Sequence, residues 1–181
     1  MTSQHESSQP ESRQPESILA EATGPDATLV VVTNNVIAVA IGEIAAVAEL
    51  PVVVIDQAGG PILPQLERLG VTKRHAVVLT DHDAPDAGAI LRQVLDGPAG
   101  YLGMMGSRSR SATLFATLRA EGVGEETLAR LHVPVGLDLG GSRTAGLIAL
   151  SVVAEVVAWA NATLFRDGDR SALGHPSPRV S

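Results

Sequence analysis

Two places in this chain join glycine, a hydroxyl and an arginine immediately before a helical stretch. The first is Tyr101-Leu102-Gly103-Met104-Met105-Gly106-Ser107-Arg108-Ser109-Arg110, and the second is Gly136-Leu137-Asp138-Leu139-Gly140-Gly141-Ser142-Arg143-Thr144. That chemistry suits an anion. Glycine lets the backbone come close, the first N–H groups of a helix have no internal partner, and a guanidinium adds charge-assisted hydrogen bonds. The plainer reading is a glycine turn with a serine cap and solvated arginines. Arginine in a first helical turn is opposed by the helix dipole, however, and this favours a negatively charged partner. Gly106, Ser107, Arg108, Gly140, Gly141 and Arg143 are therefore expected to bracket one multiply charged ligand. Asp138 would accept hydrogen bonds from a sugar or heterocycle, or else pair with Arg143 and tie the loop down.

The remaining polar groups point less sharply. A dinucleotide site needs a glycine-rich first loop, where this chain has Thr33-Asn34-Asn35, and an asparagine side chain there fills space that a pyrophosphate would take. Asp56 stands about 20 residues on, where a ribose-binding acid would be. Thr80-Asp81-His82-Asp83 has metal-binding atoms but also the composition of an ordinary turn, in which successive side chains diverge. His132 reads as packing or a turn hydrogen bond, Trp159 as core, and Glu155 as the margin of a polar face. No serine has a triad around it.

Composition removes whole classes. The 181 residues carry 20 acids against 13 bases, a net charge of −7, so broad nucleic-acid binding through phosphate neutralisation is not expected. With no cysteine, disulfides, thiolate ligands and a cysteine nucleophile are excluded. This suits a reducing cytoplasm, the expected location. Aromatics make up 2%, so the core is to be built from Ala, Val, Leu and Ile. Residues 147–160 are the most apolar stretch, but Glu155 interrupts them and they fall short of the roughly 20 residues a bilayer needs, so no membrane partner is expected.

The elements that must hold these residues alternate. Short β-branched runs at Thr28–Thr33, Pro51–Ile55, Ala76–Leu79, Gly100–Met104 and Val133–Leu137 read as buried strands. Helices are expected at Val36–Leu50, capped by Asn34 or Asn35, and at Ile62–Leu69, Ala87–Leu95, Ser107–Ala120, Glu125–Leu131 and Ala145–Leu164. The fold class is thus α/β, a Rossmann-like parallel sheet with helices on both faces and a single domain over 28–165. Residues 1–27, rich in Ser, Gln, Glu and Pro, and 166–181 are expected to be tails. In such a fold, ligands sit beyond the carboxyl ends of the strands, where every motif above falls.

Taken together, AVVLTDHD (76–83), YLGMMGSRSR (101–110), ARLHVPVGLDLGGSRT (129–144) and LSVVAEVVA (150–158) resemble the C-terminal Rossmann domain of the XdhC/CoxI family, maturation factors of xanthine and carbon monoxide dehydrogenases. The resemblance implies a chaperone that binds molybdenum cofactor, a pterin with a phosphate. It also implies a molybdoenzyme client and a cysteine desulfurase as a further partner; a homo-oligomer is expected as well. The chain departs from the family in its Thr33-Asn34-Asn35 loop and in a loop after Gly140 that is one residue longer, and residues 1–27 are not expected to stand in for the family's N-terminal accessory domain. Two competing readings are an NAD(P)-binding oxidoreductase and a ligand-free docking or oligomerisation module.

Overall fold

A computed structural model describes residues 27–81, 87–141 and 144–164, the side chains of 108–110 aside. Five parallel strands, β1 (Thr28–Val32), β2 (Val52–Ile55), β3 (His75–Leu79), β4 (Tyr101–Met104) and β5 (Leu131–His132), lie in the order β2-β1-β3-β4-β5. Six helices connect and flank them: α1 (Val36–Val47), α2 (Ile62–Leu69), α3 (Ala87–Asp96), α4 (Arg108–Ala120), α5 (Glu125–Leu128) and α6 (Ala145–Thr163).

Strand alternation divides the core into two layers. Val30, Val32, Val77, Leu79, Leu102 and Met104 face α2, α3, α4 and α5, while Leu29, Val31, Ala76, Val78 and Tyr101 face α1 and α6. Because both faces are covered, the strands are continuous apolar runs. Each fully buried valine or leucine contributes on the order of 1.5–3 kcal/mol relative to exposure. The packed body begins one residue before the expected boundary, since Ala27 is buried beside β1. Of the expected tails at 1–27 and 166–181, all but Ala27 lies outside the described residues.

Helix α6 is long and apolar enough to cross a membrane by length and composition. In this fold it packs beside α1 and buries Ala149, Val152, Val153, Val156 and Ala160 on the sheet. Its outer face keeps Leu147 and Leu150 exposed.

The fifth strand differs from expectation. It occupies Leu131–His132 and not Val133–Leu137. Pro134 has no N–H to extend the ladder, so only Val135 N–H reaches back, to Met104 O at 3.0 Å, before Gly136 turns the chain at φ 113°. Helices α1 and α5 also stop short of their expected ends: α1 closes at Ala48, ahead of Glu49 at φ 54°. Arg130 ties this region together, donating to the carbonyls of Leu95 (2.8 Å), Gly97 (3.2 Å) and Ala99 (2.9 Å) and so satisfying the end of α3.

Candidate functional site at the carboxyl edge of the sheet

Strand progression reverses between β1 and β3, and in this class of fold the crevice between the loops that follow those strands is the usual ligand position. Here that crevice is bridged by the chain itself. Asn35 Oδ1 accepts from Ile37 N–H and Ala38 N–H, both at 3.0 Å, and Asn35 O accepts from Val39 N–H at 3.0 Å. The same residue's Nδ2 donates to Thr80 O (3.2 Å) and Thr80 Oγ1 (3.3 Å). Thr80 Oγ1 in turn sits 3.1 Å from Val32 O and 2.9 Å from Thr33 O. The donors that would meet a pyrophosphate are thus occupied by one asparagine.

Thr33 holds φ 80°, the left-handed region in which glycine is relaxed and a β-branched residue is strained. Thr33 N–H bonds to Ile55 O at 2.9 Å and helps hold it there. The backbone therefore keeps the turn of a glycine loop without its glycines. Asn34 is exposed.

Asp56 is used locally. Its Oδ1 accepts from Ala58 N–H (3.0 Å) and Gly59 N–H (3.2 Å), capping a short 3₁₀ turn at Gln57–Gly59, while Gln65 Nε2 donates to its carbonyl at 2.7 Å. Thr80 is buried in the bridge just described, and His82 and Asp83 lie outside the described residues. Among the described residues no group of three or more His, Asp or Glu side chains is placed to hold a metal ion.

The other two corners are built differently. Val135 N–H bonding to Met104 O sets the loop after β5 beside the end of β4, so Met105-Gly106-Ser107 and Gly136–Gly141 leave adjacent strands at the same edge. Ser111 N–H and Ser111 Oγ both bond to Ser107 O at 2.9 Å, which fixes the first turn of α4. Above that turn, the leading N–H groups have no carbonyl within the helix. Gly140 and Gly141 take φ 76° and 101°, and among the described residues nothing stands within 4 Å of where their side chains would begin. Asp138 Oδ1 accepts from Gly140 N–H at 2.9 Å, an Asx turn that shapes the loop. The Arg108 side chain, Ser142 and Arg143 lie outside the described residues. So does any Asp138–Arg143 pair.

Sequence reasoning passed over one cluster. Glu155, in the middle of α6, accepts from Gly136 N–H at 2.5 Å through Oε2, and its Oε1 is 3.1 Å from His132 Nδ1. The Tyr101 ring lies against His132, with centroids 4.5 Å apart, and against Trp159 at 5.7 Å. Burial pushes the Tyr101 hydroxyl above its ordinary range, and the neighbouring Glu155 carboxylate pushes it further. The hydroxyl feels that carboxylate but makes no hydrogen bond of good geometry among the described residues. The available signal was a lone charge within an apolar helix, which needs a partner. A cavity of about 190 Å³ between α2 and α3, lined by Leu66, Val71, Gln93 and Val94, lies at the opposite edge of the sheet.

The sequence and fold match known proteins at two levels. A model of the XdhC Rossmann domain matches residues 29–156, well over half of the chain. The uncharacterized protein YqeB of Escherichia coli (strain K12) is 40% identical over 67 residues, which make up 37% of this chain and 12% of that protein. A protein described as a xanthine dehydrogenase from Bacillus halodurans superposes with a TM-score of 0.61 at 19% identity, over 76% of this chain and 43% of that one. At that identity the likeness is one of fold. This chain spans less than half the length of either relative. From the extent of the domain match and the shared sheet, the chain belongs to the XdhC family and carries its Rossmann domain.

Proposed function

We propose that this chain is an accessory protein of a xanthine or carbon monoxide dehydrogenase type molybdoenzyme. On this reading it holds a phosphorylated ligand, molybdenum cofactor above all, at the two glycine corners after β4 and β5. The observation that carries the reading is the contrast at the sheet edge: the α1 corner is filled by Asn35, whereas among the described residues nothing stands within 4 Å of where side chains at Gly140 and Gly141 would begin.

The residues fit the phosphate end of such a cofactor. Backbone N–H groups at Gly106–Arg108 and Gly141 would bind it, with Arg108 and Arg143 supplying charge. The bound cofactor would supply the redox-active metal and sulfur chemistry of the client. The chain's own part is to bind the group and keep it from water. Asp138, its Oδ1 engaged by Gly140, retains acceptor capacity for a pterin or a ribose. Family membership supports the link to a molybdoenzyme and, more remotely, to a cysteine desulfurase. A cytoplasmic location and a homo-oligomer belong to the same proposal.

The test is a thermal-shift panel of molybdopterin species, nucleotides, NAD(H) and NADP(H), since a ligand that binds only the native state raises its stability. Selective stabilisation by molybdopterin supports the proposal, and stabilisation by NAD(P) alone transfers the site to an oxidoreductase. One observation favours a second reading, a docking module without a small ligand. Val36 and Val47 on the outer face of α1 are 71% and 88% exposed. A panel in which nothing stabilises the protein, together with self-association in sedimentation, would select it.

A further inference from the structure

Glu155 is the only charged residue of the nineteen in α6, and its side chain is 18% exposed. A carboxylate kept that dry is costly unless its oxygens are used, and both are used, by two different segments. Oε1 meets His132 at the end of β5, and Oε2 takes Gly136 N–H at the start of the loop that leads to Gly140 and Gly141. The flanking anchors of that loop come from backbone carbonyls: Val135 N–H to Met104 O and Leu137 N–H to Ser151 O, at 3.0 and 3.1 Å. Gly136 is the one residue of the three whose N–H is held by a side chain. It must also be glycine, because a Cβ there would lie 2.4 Å from Ser151 Oγ.

We propose that Glu155 is a positioning residue which, through Gly136 N–H and His132, sets the direction in which the Asp138–Gly141 corner leaves the sheet and thereby its affinity for a phosphorylated ligand. The inference rests on reading that corner as part of the ligand site. Glu155 itself lies behind the loop, on the helix that backs it, and need not touch the ligand. The Tyr101 ring, packed on His132, holds the imidazole against the carboxylate from the sheet side. Tyr101 of β4, His132 of β5 and the Gly136 amide are the titratable or polar groups facing Glu155 from the elements around it.

The test uses the full chain, with Glu155→Gln and Glu155→Leu. Backbone hydrogen exchange is read at residues 136–141 and at 36–39, alongside calorimetric binding of molybdopterin and of inorganic phosphate. Glutamine keeps an acceptor for Gly136 N–H and can donate to the other tautomer of His132, so exchange and affinity should stay within about twofold of wild type. Leucine keeps the helix but neither bond, so exchange at 136–141 should accelerate about tenfold and both probes should bind about tenfold more weakly, with 36–39 unchanged. Exchange at 136–141 unchanged in Glu155→Leu, while wild type binds the probes, overturns the positioning role alone. A Gln variant as impaired as Leu overturns it too, since the charge itself would then be what binds. Wild type that binds neither probe, with exchange accelerated in Glu155→Leu, overturns the ligand-site reading and the effect on affinity with it. If Glu155→Leu does not fold, His132→Ala, which removes one partner at a half-exposed residue, replaces it: faster exchange at 136–141 supports the proposal and unchanged exchange overturns it.

Discussion

The corner after β1 and the corners after β4 and β5 occupy equivalent places, each where a parallel strand hands over to a loop and helix. They solve the same problem in opposite ways. At the first, the start of α1 is satisfied internally by Asn35, which also reaches across to Thr80 on the neighbouring strand end. At the corner after β5, Gly136, Gly140 and Gly141 take positive φ, nothing among the described residues stands where side chains at Gly140 and Gly141 would begin, and the loop is held from behind by α6. A helix N-terminus is therefore not an anion site by position alone. What matters is whether the chain has already used its donors.

Changes at these corners should separate the two designs. The largest effect is expected from Gly136→Ala, because the new methyl combines a disfavoured positive φ with a collision at Ser151. A loss of about 3 kcal/mol in denaturant unfolding is the expected outcome. Asn35→Ala removes the cap of α1 and its bridge to Thr80, and should cost about 2 kcal/mol while leaving phosphorylated-ligand binding intact. A loss of binding there would mean that the first corner, and not the others, is the site. Arg108→Ala and Arg143→Ala should each weaken molybdopterin binding about tenfold, the equivalent of about 1.4 kcal/mol, at an unchanged melting temperature. Normal affinity in both would remove the arginines from the site.

The smallest effect concerns the wall behind the loop. Tyr101 has its ionisation raised by burial, so the native state holds its proton where the unfolded chain, titrating near pH 10, has lost it. Stability from this group is complete below about pH 10 and falls as pH rises beyond it. Tyr101→Phe should flatten that alkaline decline and, by removing a buried hydroxyl without a partner, raise neutral-pH stability by up to about 1 kcal/mol. Urea unfolding at pH 8 and pH 11 reads both effects.

The sheet was legible because strands buried on both faces leave uninterrupted runs such as Leu29–Val32 and Ala76–Leu79, and the cap of α1 because asparagine before an apolar helix has few other uses. The fifth strand was not, since two residues carry no periodicity and the apolar run after them is broken by Pro134. A cap at Asn34 or Asn35 was legible, but not the bridge made by Asn35, because its amide meets Thr80, 45 residues away. The same holds for His132 and Glu155, each discounted as ordinary and 23 residues apart in sequence. Asp56 looked like a ribose acid because spacing cannot show that its carboxylate closes its own turn. Pairings across the sheet edge are tertiary facts, and a single chain read in order does not display them.

The most direct test of the contrast between corners is amide chemical-shift mapping of the labelled protein during titration with molybdopterin. Shifts should concentrate at Gly106–Ser109 and Asp138–Gly141, with Asn35–Val39 unmoved. Shifts concentrated at Asn35–Val39, with the other two corners silent, would contradict that contrast.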